Sequence, residues 1–104
     1  MKRIAFFAIL FMALAATAQG QDPQEGARWA NSVCGECHAV RAGQVRSPNG
    51  REPTFVKLAN TPGMTTAALT VALTTPHAGM PMFVLTSEQR QDIIAYILSL
   101  KVNR

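Results

Sequence analysis

The sequence predicts an all-α domain of three to four helices, and three observations lead to that class. Two segments, Asp22 to Cys34 and Thr86 to Lys101, open on capping signals and carry apolar residues at three- and four-residue steps. A shorter run from Thr65 to Thr74 sets Ala68, Leu69, Ala72 and Leu73 on one face. No stretch gives a convincing strand pattern, which would need sustained alternation of apolar and polar residues.

The first segment must be set aside before the fold is read. Lys2 and Arg3 give a positive start, Ile4 to Leu14 are apolar without a break, and Ala16-Thr17-Ala18 supplies the small-x-small pattern of a cleavage site before Gln19. Residues 1–18 therefore read as a secretory signal peptide, and residues 19–104 as one small domain. The rival reading, a membrane anchor, meets an apolar run shorter than the roughly 20 residues a spanning helix needs. A domain of this size has little core of its own and commonly recruits a disulfide, metal or cofactor. The formal charge of +4 loses two units with Lys2 and Arg3, and no clustered basic stripe remains, which excludes nucleic-acid binding.

Asp22-Pro23-Gln24-Glu25 reads as a helix start: Asp22 as N-cap, Pro23 at the first helical position, and Glu25 placed to close a capping box. The helix is expected to reach about Cys34, burying Ala27, Ala30, Val33 and Cys34 with Trp29 alongside. Gly26 lowers helix propensity, so its place there predicts a close backbone approach. From Ala39 to Thr61 the composition shifts to Gly, Pro, Ser, Asn and Arg, a loop that contains one apolar helical turn at Thr54 to Ala59. Thr65 caps the short helix that Pro76 stops. Pro76 to Met82 is loop, broken by Pro and Gly. Thr86 and Gln89 then form a second capping box, and Ile93, Tyr96, Ile97 and Leu100 line one face of the closing helix.

The two cysteines of the chain both fall in Cys34-Gly35-Glu36-Cys37-His38. Cys-x-x-Cys followed directly by His is the attachment signal for c-type haem. Two thiols three positions apart on a tight turn each reach one vinyl group, and the neighbouring imidazole offers a neutral nitrogen to the iron. Three rivals fare worse. A zinc site wants four ligands, and only His77 remains as a donor of the usual kind. A thioredoxin-like pair would open a helix in a βαβ frame, whereas this motif closes one. A plain disulfide gives His38 no reason.

A bound iron leaves a sixth position to fill, and a thioether is the frequent partner of His in electron carriers. The domain offers Met64, Met80 and Met82. A methionine is most often a flexible core filler, yet Met80 lies in an irregular loop from which a side chain reaches a cofactor, and Pro81 stiffens the approach. Met82 competes from two positions on, while Met64 sits just before a helix. His77 reads as an exposed loop histidine.

The ordered set Gly26, Trp29, Ala30, Cys34, Cys37, His38, Met80-Pro81, Ile93 and Tyr96 resembles the class I c-type cytochromes, the small bacterial monohaem members included, across residues 19–104. The resemblance implies the cytochrome c fold: helices wrapped round one covalently bound haem, with the N- and C-terminal helices crossing near Gly26 and Tyr96. It implies His38 and Met80 as axial ligands, since members with Pro-His-x-x-Met-Pro loops use the Met before Pro. Ser47-Pro48 resembles the family loop whose proline carbonyl accepts the ligand imidazole N–H. Where mitochondrial members carry an aromatic four residues after the helix glycine, this chain has Ala30, with Trp29 offset by one.

These readings give an expected function: one-electron transfer by haem c and its iron, not enzymatic turnover. Phe55, Leu58, Leu69, Leu73, Phe83, Leu85, Ile93 and Ile97 are expected to form a shell that excludes water from the cofactor. Signal and haem together place the protein in the periplasm, without a membrane anchor after cleavage. The expected partners are a membrane oxidase, a reductase complex or a periplasmic dehydrogenase, with no nucleic acid and no small-molecule substrate. Two alternatives are a small cytochrome subunit of a dehydrogenase complex and a haem protein whose open sixth site binds gas.

Overall fold

The computed structural model describes residues 21–102, so the expected signal peptide at 1–18 lies outside the described residues. Four α-helices follow one another: α1 (Pro23–Trp29), α2 (Phe55–Ala59), α3 (Thr66–Thr74) and α4 (Ser87–Ser99), with no strand among the described residues. Beyond Trp29 the first helix widens into a π-helical turn, Ala30–Cys34, that the periodicity of the sequence does not announce. Here Asn31 Nδ2 donates to the Ala27 carbonyl at 2.7 Å and Ser32 Oγ to that of Trp29 at 3.2 Å. Asn and Ser side chains compete in this way for helix carbonyls, and single π turns cluster at functional sites.

The core forms where α1 crosses α4. A Cβ on Gly26 would lie 1.9 Å from the Asp92 carbonyl oxygen and 2.8 Å from Tyr96 Cβ, so only glycine permits this approach. Ala30, Ile93 and Ile97 are buried beside it, with Phe55, Ala59 and Leu69 brought in by α2 and α3. Trp29 packs against this cluster from the position next to Ala30.

The capping signals hold in part. Asp22 accepts from the Gln24 and Glu25 backbone N–H groups, but Glu25 does not reach back to close the expected box. Glu25 pairs instead with Arg28, and the Asp22 N–H donates to Oδ1 of buried Asp92 at 2.9 Å, which ties the start of α1 to α4. The second box is complete: Gln89 N–H donates to Thr86 Oγ1 at 3.0 Å and Thr86 N–H to Gln89 Oε1 at 2.9 Å. Asn60, just after α2, donates to the Leu100 carbonyl and accepts from Val102 N–H, holding the residues that follow α4. No helix among the described residues is long and apolar enough to cross a membrane.

Candidate haem site

The π turn delivers Cys34 to the edge of the core, where the chain reverses. The Cys34 carbonyl accepts from both Cys37 N–H (3.2 Å) and His38 N–H (3.0 Å), a tight turn that brings the two sulfurs and the imidazole onto one cleft. Both cysteines are free thiols. Burial pushes the Cys34 thiol up to about 11, so it stays protonated at neutral pH.

His38 is held on its far side. Its Nδ1 lies 2.7 Å from the Pro53 carbonyl oxygen, and its ring meets Phe55 at 5.5 Å between centroids. An Nδ1–H donating to that carbonyl leaves Nε2 as the free donor to a metal and fixes the plane of the ring. The carbonyl expected from Pro48 is thus supplied by Pro53. The loop explains the exchange: Ser47 is buried and its Oγ accepts from Ala39 N–H at 3.0 Å, while Phe55 N–H donates to the Ala39 carbonyl at 2.9 Å. These two bonds lay the chain before Phe55, not the Ser47-Pro48 turn, against the imidazole.

Met80, Pro81 and Phe83 line the same cleft as Cys34, Cys37 and His38. A turn presents Met80: Gly79 adopts φ +78°, and Met80 N–H donates to the His77 carbonyl at 3.3 Å. His77 therefore serves the site through its backbone, and the residue itself lines a neighbouring hollow. Met82 is 53% exposed and Met64 packs against the core, so of the three candidates Met80 alone lines the cleft. Phe55, Leu69, Ile93 and Ile97 of the expected shell are buried and Leu58, Leu73 and Leu85 pack against them, whereas Phe83 stands at the cleft mouth, 42% exposed.

The cleft encloses about 80 Å³, less than the roughly 300–1,000 Å³ of clefts that take drug-sized ligands, so its fit to haem rests on its donor set and not on its volume. Its wall offers two thiols, an oriented imidazole and a thioether, a donor set that suits haem iron and its two vinyl links. No group of three or more His, Cys, Asp or Glu side chains converges among the described residues to hold a bare metal ion.

A helical domain with these groups on one cleft defines a c-type cytochrome. The chain belongs to that family: residues 21–97 match the family described as "Cytochrome C oxidase, cbb3-type, subunit III". It is also 35% identical over 85 residues to "Cytochrome c-552" of Bradyrhizobium diazoefficiens, a match that spans 82% of this chain and 81% of that one. No solved structure matches it. As a member of this family the chain carries haem c, with its iron, by covalent attachment, and its redox partners are proteins.

Proposed function

We propose that the protein is an exported, periplasmic monohaem cytochrome that carries single electrons between respiratory or dehydrogenase partners. Cys34 and Cys37 would hold the haem through thioethers, and His38 and Met80 would supply the nitrogen and sulfur donors to its iron. The observation that carries this reading is the meeting of Met80 with the Cys34-Gly35-Glu36-Cys37-His38 turn on one cleft. Bound there, the haem supplies a one-electron couple. The chain's residues do the rest. Pro53 O and Phe55 fix the His38 ring, the thioether of Met80 favours a positive potential, and the apolar wall keeps water away.

Residues 1–18 direct export in this reading, and the family's description as an oxidase subunit favours a membrane oxidase as the acceptor. A permanent place in an oxidase or dehydrogenase complex is the second reading, favoured by the same description, and co-purification with a larger subunit distinguishes it.

The test is the spectrum of the oxidised protein in two variants. Met80→Ala is expected to abolish the weak sulfur-to-iron band at the red end, whereas Met82→Ala retains it. Loss in Met82→Ala alone would move the ligand, and high-spin reduced iron that binds carbon monoxide in the unaltered protein would instead favour an open sixth site.

A further inference from the structure

The mouth of the haem cleft differs in charge from the rest of the molecule. Glu36 and Glu52 line it, and no Lys or Arg does. Neither carboxylate is ion-paired: among the described residues the one ion pair is Arg28 with Glu25. Glu52 stands over the turn that presents Met80, its Oε1 3.9 Å from where a Cβ on Gly79 would sit. Arg46, Arg51 and Lys57 line a separate hollow that shares Glu52 as its border.

The other side of the mouth is apolar. Residues 58–87 contain no Lys, Arg, Asp or Glu. Within them Met82, Phe83 and Val84 form a run of exposed side chains beside the cleft, with Val84 fully open. Three adjacent large apolar residues in solvent mark an interaction surface more often than chance exposure does. An apolar centre with a charged rim is also the usual anatomy of a transient protein interface.

We propose that this mouth is the docking surface for the electron-transfer partner, and that the partner brings cationic side chains to Glu36 and Glu52 around an apolar contact with Phe83. The inference rests on the proposed haem site. Its content is a sign: the formal charge of residues 19–104 is positive, so attraction by the whole molecule would select an anionic partner, while the mouth selects a cationic one. Close to contact the nearest charges decide, because the field of distant ones is screened within about 10 Å at ordinary salt.

The test uses the haem-loaded, dithionite-reduced protein and two small oxidants of opposite charge. Tripositive tris(phenanthroline)cobalt(III) is cationic and apolar, whereas trinegative hexacyanoferrate(III) is anionic. One electron passes from the reduced protein to each, giving the oxidised protein and cobalt(II) or hexacyanoferrate(II). Stopped-flow rates are measured from about 0.01 M to about 0.1 M salt, over which the screening length falls from roughly 30 Å to roughly 10 Å. The cobalt rate is expected to fall several-fold with salt, and the Glu36→Gln/Glu52→Gln double variant to lose that dependence and to react faster with hexacyanoferrate at low salt, while its spectrum stays unchanged. A cobalt rate that rises with salt, or a dependence identical in the double variant, would overturn the docking surface. So would a low-salt dimer abolished by the double substitution, because the mouth would then be meeting the basic hollow of a second copy. A preparation without a Soret band would instead sink the haem reading beneath it, so the two failures are distinguishable.

Discussion

Nδ1 of His38 and the carbonyl oxygen of Pro53 lie 2.7 Å apart, fifteen residues distant in sequence, and this contact turns a motif into a site. Three bonds maintain it: Asn49 N–H to the Cys37 carbonyl (3.2 Å), Ala39 N–H to Ser47 Oγ (3.0 Å) and Phe55 N–H to the Ala39 carbonyl (2.9 Å). Ser47→Ala leaves the buried Ala39 N–H without its acceptor. A loss of about 1–3 kcal/mol is expected, together with a raised potential, because an imidazole whose Nδ1–H bond loosens is a weaker donor to oxidised iron. Denaturant titration and redox titration of the haem-loaded variant measure the two effects, and unchanged values in both would show that the loop is held some other way.

Gly26 is the residue least able to change. Alanine there places a methyl against the backbone of Asp92 and the Cβ of Tyr96, and backbone cannot rotate aside. The expected cost is about 3 kcal/mol or more, at the upper end of overpacking substitutions. Denaturation of Gly26→Ala checks it; a change within about 0.5 kcal/mol, the range of ordinary surface substitutions, would remove the helix crossing from this account.

Tyr96 gives the fold an alkaline limit. Its hydroxyl donates to the Val40 carbonyl, and burial raises its pKa above the ordinary 10.0, with the Arg41 charge acting the other way. The folded state thus keeps the phenol proton more tightly than the unfolded chain. Its contribution is fully present below the unfolded value and is lost as pH rises through the folded one. Above pH 10 stability should fall more steeply in the native protein than in Tyr96→Phe, and parallel curves would refute this assignment.

Haem supplies much of what so small a domain lacks. Cys34→Ala with Cys37→Ala is expected to yield a chain without a cooperative thermal transition, read by circular dichroism. A sharp transition in that variant would show that the helices pack unaided.

Much of this architecture was legible in the sequence because the signals were local. The Thr86 and Gln89 box, the Thr65 cap and the Gly26 crossing rest on residues a few positions apart or on one unusual residue. Cys34, Cys37 and His38 form a motif whose spacing states its own chemistry. The misreadings concern distant partners. Nothing near Asp22 indicates that Asp92, seventy residues on, takes the N–H that Glu25 was expected to cap. Nothing in Ser47-Pro48 indicates that Ser47 would be spent on Ala39 and leave Pro53 to meet the imidazole. The π turn was hidden for another reason: it depends on side chains of Asn31 and Ser32 competing for helix carbonyls, which apolar periodicity does not register.

The attachment itself is tested most directly by mass spectrometry of the purified protein after cleavage at arginine. The peptide Trp29–Arg41 contains both cysteines and His38. It should carry the mass of one haem, with both sulfurs blocked to alkylation and a Soret band that travels with it. A peptide of unmodified mass whose two thiols alkylate freely would contradict the account at its root.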